Sequence, residues 1–87
     1  MPIISFFFGI LIRINFRDHN PPHFHADYQG FSATFKIEDG SFLDGEFPPK
    51  LTKIITDWAK ENKSALLENW NCAQKHEPLF KIPGADN

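Results

Sequence analysis

Hydrophobic and polar residues alternate along the first part of the chain, and this alternation predicts a strand. From Ile10 to Phe16 every second residue is apolar, with Arg13 and Asn15 among the residues between them. A period of two is typical of a strand with one buried face. The apolar run of residues 1–12 is shorter than the ~20 residues of a membrane span. We therefore interpret this run as a buried lead-in and a strand, and expect no membrane partner.

The pattern of residues 23–36 predicts a hairpin with apolar side chains on one face and polar side chains on the other. The assumption is that Gln29-Gly30 forms a two-residue turn, a common hairpin connection. The apolar side then pairs Tyr28 with Phe31, Ala26 with Ala33, and Phe24 with Phe35. The polar side pairs Asp27 with Ser32, His25 with Thr34, and His23 with Lys36. Because a slip by one residue would destroy this sorting, we expect the apolar side to face the helices.

After the hairpin the pattern predicts a short strand and then a helical segment. A turn at residues 38–40 leads to a strand near residues 41–44, in which Phe42 and Leu43 cannot both face the core. Helical spacing then appears in two stripes, the first consisting of Leu51, Ile54, Ile55 and Trp58 and the second of Leu66, Leu67, Trp70 and Ala73. The second stripe is rotated relative to the first, which favours a break near residues 62–64 with Ser64 as an N-cap.

These elements predict an α+β fold with a small antiparallel sheet of three to four strands. One face of the sheet is covered by one or two C-terminal helices, in a single domain over residues 1–87 with a disordered tail at residues 84–87. The net charge of −2 gives no global attraction to nucleic acid. The single Cys72 excludes an internal disulfide and suits a reducing compartment, so we expect a cytoplasmic protein.

Residues 18–28 carry the chemistry, because they hold three of the four histidines and two carboxylates. Strand alternation places His23, His25 and Asp27 in one row on the non-core face, with Asp18 and His19 in the loop before them. Imidazole and carboxylate are suitable ligands for a divalent ion such as zinc. The candidate ligands are therefore Asp18, His19, His23, His25 and Asp27. The cation Lys36, predicted opposite His23, is unfavourable for this hypothesis.

Three other interpretations of the same surface stay open. His23 and His25 are candidate catalytic groups for acid–base chemistry, with Arg13, Arg17 and Lys36 binding a phosphate as in a metal-independent ribonuclease. A non-enzymatic module would use the same cations to bind RNA or an acidic protein. In the third interpretation these residues form only the solvated face of an amphipathic hairpin. The sequence does not indicate an oligomeric state.

The chain resembles a small bacterial family catalogued as domain of unknown function 4160. The resemblance rests on the segments Phe7-Phe8-Gly9-Ile10, Asp18-His19-Asn20-Pro21-Pro22-His23-Phe24-His25 and Leu66-Leu67-Glu68-Asn69-Trp70. It implies no assigned activity. It does imply a small partner protein encoded nearby, as in toxin–antitoxin pairs. We therefore expect a bacterial toxin–antitoxin component that uses the histidine face on RNA or through a metal, or else a binding module.

Overall fold

Five strands and two helices form the fold in the computed structural model, which describes residues 2–87. The first residue of the predicted lead-in, Met1, lies outside them. The elements are β1 (Ile3–Phe7), β2 (Ile10–Arg13), β3 (His23–Tyr28), β4 (Phe31–Lys36), β5 (Phe42–Glu46), α1 (Pro49–Glu61) and α2 (Lys63–Gln74). The strands make one antiparallel sheet in the order β1-β2-β3-β4-β5. The α+β prediction is confirmed, but five strands replace the expected three to four.

The additional strand arises because the apolar N-terminal run folds back on itself. Phe8 and Gly9 both have positive φ, 51° and 78°, as the central residues of a type I′ hairpin turn require. β1 therefore pairs with β2. The strand predicted to reach Phe16 ends at Arg13 instead, because the chain leaves the sheet and the Arg17 backbone N–H bonds to the Ala73 carbonyl of α2. Phe16 is partly exposed and stacks on His76.

The hairpin of β3 and β4 has the predicted register at all six pairs, from His23–Lys36 to Tyr28–Phe31. Its apolar face is buried at Phe24, Ala26, Ala33 and Phe35. Phe24 packs edge-on against Trp58 of α1, so the helices cover this face as expected. The turn end is less covered, since Tyr28 is half-buried and Phe31 is 42% exposed.

The helical segment breaks at Asn62, where the rotated stripe predicted a break. The Asn62 side chain bonds to the Trp58 carbonyl, and its backbone φ of −116° ends α1. The predicted N-cap at Ser64 is wrong, because α2 already begins at Lys63 and Asn62 occupies the cap position. Side chains of both stripes reach the core, and the buried ones are Ile55, Trp58, Leu66, Trp70 and Ala73.

A bulge in β5 resolves the conflict between Phe42 and Leu43. Phe42 lies opposite Phe35 and Asp44 lies opposite Thr34, so Leu43 is an extra residue between two regular pairs. Phe42 consequently contacts the Phe35 ring on the helix side. Leu43 turns to the other side of the sheet, where it lines a cavity beside the histidines.

Residues 79–82 follow the helices and lie against β1 without forming a strand. The Ile82 backbone N–H bonds to the Ile4 carbonyl, and the buried Ser5 hydroxyl donates to the Ile82 carbonyl. Ile82 is itself buried, so the segment adds to the core. Among residues 2–87, no helix is both long and apolar enough to cross a membrane.

Candidate metal centre

The loop of residues 14–22 carries Asp18 to the start of β3. Two contacts with the end of α2 fix this loop from outside: the Arg17 N–H bonds to the Ala73 carbonyl, and the Gln74 amide donates to the Asp18 carbonyl. At its other end the loop contains the cis Asn20–Pro21 bond and returns to the sheet at His23. The carboxylate of Asp18 therefore lies above the first residues of β3.

His23 is buried, although it lies on the polar side of the hairpin. Its side chain is 5% exposed, and the Trp70 ring lies 5.2 Å from the imidazole ring. Nδ1 is 2.8 Å from the Pro21 carbonyl oxygen, and Nε2 is 2.9 Å from Asp18 Oδ2. Both ring nitrogens thus have a partner oxygen, which is what a buried imidazole requires.

His25, two residues after His23 on the same face of β3, also lies near the Asp18 carboxylate. Its Nε2 lies 3.5 Å from Asp18 Oδ2 and 3.3 Å from the amide nitrogen of Asn15. The His23 and His25 rings are 5.2 Å apart and nearly perpendicular. Each of Asp18, His23 and His25 has one atom that could bind a metal ion, and these three atoms lie within 4.8 Å of one another.

The electrostatics keep Asp18 and His25 available as ligands at neutral pH. Burial of Asp18 raises its pKa, but the hydrogen bond from the His19 N–H and the charge of His23 outweigh burial, and the pKa falls to about 2. Burial lowers the pKa of His25, and the nearby Arg13 charge lowers it further. Asp18 is therefore ionised and His25 favours its neutral form, the states in which they bind metals.

Two of the five predicted ligands lie outside this cluster. The His19 side chain is 87% exposed and points its Nδ1 at the other carboxylate oxygen of Asp18, at 2.9 Å. Asp27 accepts hydrogen bonds from Arg13 at 2.7 Å and from Ser32 at 2.6 Å. The bond from Arg13 is the main reason that the pKa of Asp27 is lowered. Asp18, His23 and His25 remain as the group that the structure brings together.

The three cations predicted to bind phosphate do not line the cavity beside the histidines, although Arg13 lies opposite His25 in register and its charge acts on that imidazole. Arg13 forms an ion pair with Asp27, and Arg17 lies exposed on the outer loop. Lys36 is opposite His23 in register, but its charge acts on Asp39. A cavity of about 370 Å³ adjoins the cluster, and no Lys or Arg of residues 2–87 lines it. Its lining residues are Asn15, Asp18, His19, Pro21, His23, His25, Thr34, Leu43 and Asp44.

Five of these lining residues were not singled out from the sequence as site residues, and three of the five are polar: Asn15, Thr34 and Asp44. Thr34 was identifiable, because the predicted hairpin register already placed it opposite His25. Asn15 was predicted on the outer face of a longer strand, and only the loop brings its amide to His25 and Asp18. Nothing in the sequence pattern indicated that Asp44 lies beside the histidines, because the side of the sheet that it faces depends on the bulge at Leu43.

The comparisons with known proteins give a family and no named relative. A family model described as Domain of unknown function (DUF4160) matches residues 9–71, more than half of the chain. This span includes the loop, the three clustered groups and β5. Searches of curated proteins and of solved structures gave no match.

Proposed function

The chain belongs to the DUF4160 family, whose description assigns no activity, and we propose that Asp18, His23 and His25 bind a divalent transition-metal ion. The ion would be zinc or a similar metal, since two imidazoles and a carboxylate suit such ions. The site would be the working surface of the protein, at the base of the cavity lined by His19, Thr34 and other residues.

The hydrogen bonding of His23 carries this proposal. The Pro21 carbonyl only accepts hydrogen bonds, so Nδ1 of His23 must bear the proton that it donates. A neutral His23 then directs the Nε2 lone pair at Asp18 Oδ2, which is 2.9 Å away and also an acceptor. A positive species has to separate these two atoms, either a proton on Nε2 or a metal ion. An imidazole whose second nitrogen donates to a backbone carbonyl is the usual arrangement of a metal ligand.

The distances fit a metal as well as a proton. Ligand atoms about 2.1 Å from an ion lie about 2.9–3.4 Å from one another in octahedral or tetrahedral geometry. The two imidazole Nε2 atoms are 2.9 Å and 3.5 Å from Asp18 Oδ2. The ligand atoms of His23 and His25 lie within 4.8 Å of each other, so His25 would have to move toward the ion, and its side chain is 21% exposed rather than tightly enclosed.

Three protein ligands leave at least one coordination position for water or a substrate. Such an ion supplies Lewis-acid chemistry, by polarising a bound group or by lowering the pKa of a bound water molecule. The chain itself would supply the Asn15 amide, which lies 3.3 Å from His25 Nε2 and 3.4 Å from Asp18 Oδ2. We propose that this amide orients Asp18, as second-layer hydrogen bonds do at metal sites. It would give up its contact with His25 Nε2 when that nitrogen binds the ion, because the nitrogen has only one lone pair.

The second candidate is metal-free acid–base chemistry on RNA, with His23 and His25 as the proton-transferring groups. The Asp18–His23 pair supports it, because a carboxylate stabilises an imidazolium ion. RNA binding relies on cations that neutralise phosphate groups. The cavity instead contains the carboxylates of Asp18 and Asp44 and no Lys or Arg among the described residues. The charge of the cavity thus favours the metal proposal over RNA.

Partnership with another small protein is a separate proposal that rests on the family resemblance alone. In that proposal the chain is one component of a toxin–antitoxin pair, or a non-enzymatic module that binds its partner. Neither version depends on the metal, so a metal-free protein would leave both to be tested by co-purification with the product of the adjacent gene.

Zinc titration of untagged, chelator-treated protein tests the metal proposal. We expect one ion per chain with a dissociation constant of about 1 μM or lower, which corresponds to about −8 kcal/mol. His23→Ala and His25→Ala should each weaken binding at least about 100-fold, because each removes a ligand. His76→Ala is the matched control, since this histidine stacks on Phe16 away from the cluster. Cobalt(II) absorption spectra would report the number of ligands independently.

Two results would contradict the metal proposal. One is binding weaker than about 1 mM, which is only about −4 kcal/mol. The other is equal binding in the wild type and in folded Asp18→Asn, His23→Ala and His25→Ala variants. Circular dichroism establishes that each variant is folded, and Asp18→Asn keeps the shape of the side chain if an alanine variant unfolds.

A further inference from the structure

We propose that the cavity beside Asp18, His23 and His25 takes a small amino-carboxylate ligand and that Asp44 binds its protonated amine. The carboxylate of such a ligand would reach the metal ion, and the ammonium group would lie at the opposite wall. This inference rests on the proposed metal site and adds to it a ligand class and a residue that determines specificity.

The geometry of the sheet makes the cavity a trough with two different walls. Three consecutive strands contribute one residue each to a row across the sheet. Thr34 of β4 lies opposite His25 of β3 on one side and opposite Asp44 of β5 on the other. Neighbouring strands lie about 4.8 Å apart, so the backbones of His25 and Asp44 are roughly 10 Å apart. Thr34 lies between them, and all three residues line the cavity. Thr34 is thus the floor, His25 belongs to the metal wall, and Asp44 forms the far wall.

The bulge in β5 is what brings Asp44 to this wall. Phe42 lies opposite Phe35, so regular pairing would put Leu43 opposite Thr34 and Asp44 opposite Ala33. Ala33 belongs to the helix-facing side of the sheet, away from the histidines. The extra residue instead places Asp44 opposite Thr34. Bulges recur next to functional sites because they redirect a side chain in this way.

Asp44 is an exposed residue of the edge strand β5, and its side chain lines the cavity. In the described part of the chain, its carboxylate forms no hydrogen bond or ion pair. This distinguishes it from Asp18 and Asp27, whose oxygens are occupied by side chains of the fold. An acidic group that lines a cavity without an internal partner is free to bind a cationic group of a ligand.

The charges of the two walls define the ligand class. A divalent ion with one carboxylate ligand and two neutral imidazoles retains one positive charge, which an incoming carboxylate neutralises. Asp44 contributes one negative charge at the far wall, and no Lys or Arg of residues 2–87 lines the cavity to balance it. A zwitterion with its charges at opposite ends complements both walls. A phosphate ester would satisfy the metal but place its remaining charge against Asp44.

The size of the cavity limits the ligand to a small molecule. A volume of about 370 Å³ is near the lower end of ligand pockets. We therefore choose 4-aminobutyrate as the probe and butyrate as its matched control, because the two differ only by the amino group. An ω-amino acid also chelates free zinc far less than an α-amino acid does, so it does not strip the site.

The experiment measures probe binding to the zinc-loaded protein by calorimetry, after the zinc affinity itself has been measured. We expect the wild type to bind 4-aminobutyrate about fivefold more tightly than butyrate, the magnitude of one partly exposed ion pair. Asp44→Asn should abolish this preference and leave zinc affinity unchanged. Glu46→Gln is the control, because it removes the same charge from the same strand at a residue outside the cavity.

The outcomes separate this inference from the proposed function. If zinc binds and the wild type shows no preference for 4-aminobutyrate, the inference is wrong and the metal site stands. A preference that persists in Asp44→Asn, or tighter binding of inorganic phosphate than of 4-aminobutyrate by the wild type, also overturns it. If zinc does not bind at all, the proposed function fails and the ligand inference fails with it. Thermal melts of each variant establish that Asp44→Asn is folded.

Discussion

One face of the β3–β4 hairpin meets the helices, and the other meets the loop of residues 14–22. Phe24 and Phe35 on the first face are fully buried against apolar side chains, including Trp58. His23 on the second face is almost as buried, at 4% exposure. Its neighbours, however, are the Pro21 carbonyl and the Asp18 carboxylate, with the Trp70 ring beside them. Alternating residues of one strand are therefore enclosed by different means.

The difference shows what each kind of enclosure contributes. On the face with Phe24 and Phe35, here the helix side, the free energy of folding comes from removing apolar area from water. This term is about 25 cal/mol per Å² and depends little on direction. On the face with His23 and His25, here the loop side, each buried polar atom needs a hydrogen-bond partner in the correct direction, because an unsatisfied buried group costs about 1–3 kcal/mol. No buried side-chain nitrogen or oxygen among the described residues lacks a partner. The helix side thus provides stability, and the loop side provides a defined arrangement of reactive groups.

The largest expected effect comes from breaking the helix side. Phe35→Ala should lower the free energy of unfolding by about 3–5 kcal/mol, since it removes a fully buried ring and leaves a cavity. Urea denaturation of the metal-free protein measures this effect. Phe31→Ala is the matched control in the same strand, because Phe31 is 42% exposed, and its cost should stay below about 1 kcal/mol. Equal costs for the two variants would mean that the helices do not determine the stability of this face.

The helix side could be predicted from the sequence because it follows a simple period. Once the Gln29-Gly30 turn is assumed, alternation fixes all six pairs of the hairpin, and the structure has each of them. The rotated apolar stripes likewise indicated the break at Asn62. The strand β1 was recognised only in part, because a continuous apolar run does not show where a chain turns back. The turn at Phe8-Gly9 needs positive φ at a phenylalanine, which composition does not suggest.

The loop side could be predicted only in part. Strand alternation shows which side of the sheet a side chain points to, but it does not show which residues pack over it. It correctly placed His23 and His25 on the same side, since their rings lie 5.2 Å apart. It also placed Asp27 in their row, but it could not foresee that Arg13 from β2 would bind that carboxylate. The burial of His23 depends on a loop held by α2, and the position of Asp44 depends on a bulge. Both features are set by tertiary contacts that leave no period in the sequence.

A smaller effect should appear when the loop side is weakened through Asp18. Asp18→Asn should lower the free energy of unfolding of the metal-free protein by about 2 kcal/mol at pH 6. The pKa of Asp18 is about 2 in the folded protein, below its ordinary value of 3.8. The stabilisation is therefore present above about pH 4 and is lost as the pH falls through about 2. Urea denaturation of both proteins between pH 2 and pH 7 measures the difference.

The comparison with asparagine isolates the charge, because a protonated Asp18 and an asparagine are both neutral and similar in shape. The two proteins should therefore converge in stability at the acidic end of the series. Glu46→Gln is the control for loss of an exposed carboxylate, and it should change the free energy of unfolding by less than about 0.5 kcal/mol. A constant difference between wild type and Asp18→Asn at every pH would show that shape, and not charge, is what the loop needs from Asp18.

The smallest expected effect is a change in the pKa of His25. It tests whether the Arg13 charge adds to the effect of burial on the loop side. Burial lowers the pKa of His25, and the Arg13 charge lowers it further. Arg13→Gln should therefore raise the pKa of His25 in the metal-free protein, which NMR titration of the imidazole protons would measure. Because the folded pKa lies below the ordinary 6.5, the contribution of His25 to stability is present above pH 6.5 and is lost as the pH falls through the folded pKa. Lys36→Gln is the matched control, since it removes a cation that does not act on His25. An unchanged pKa of His25 in Arg13→Gln would mean that the Arg13 charge does not act on His25, and that burial together with Asp18 and His23 sets its pKa.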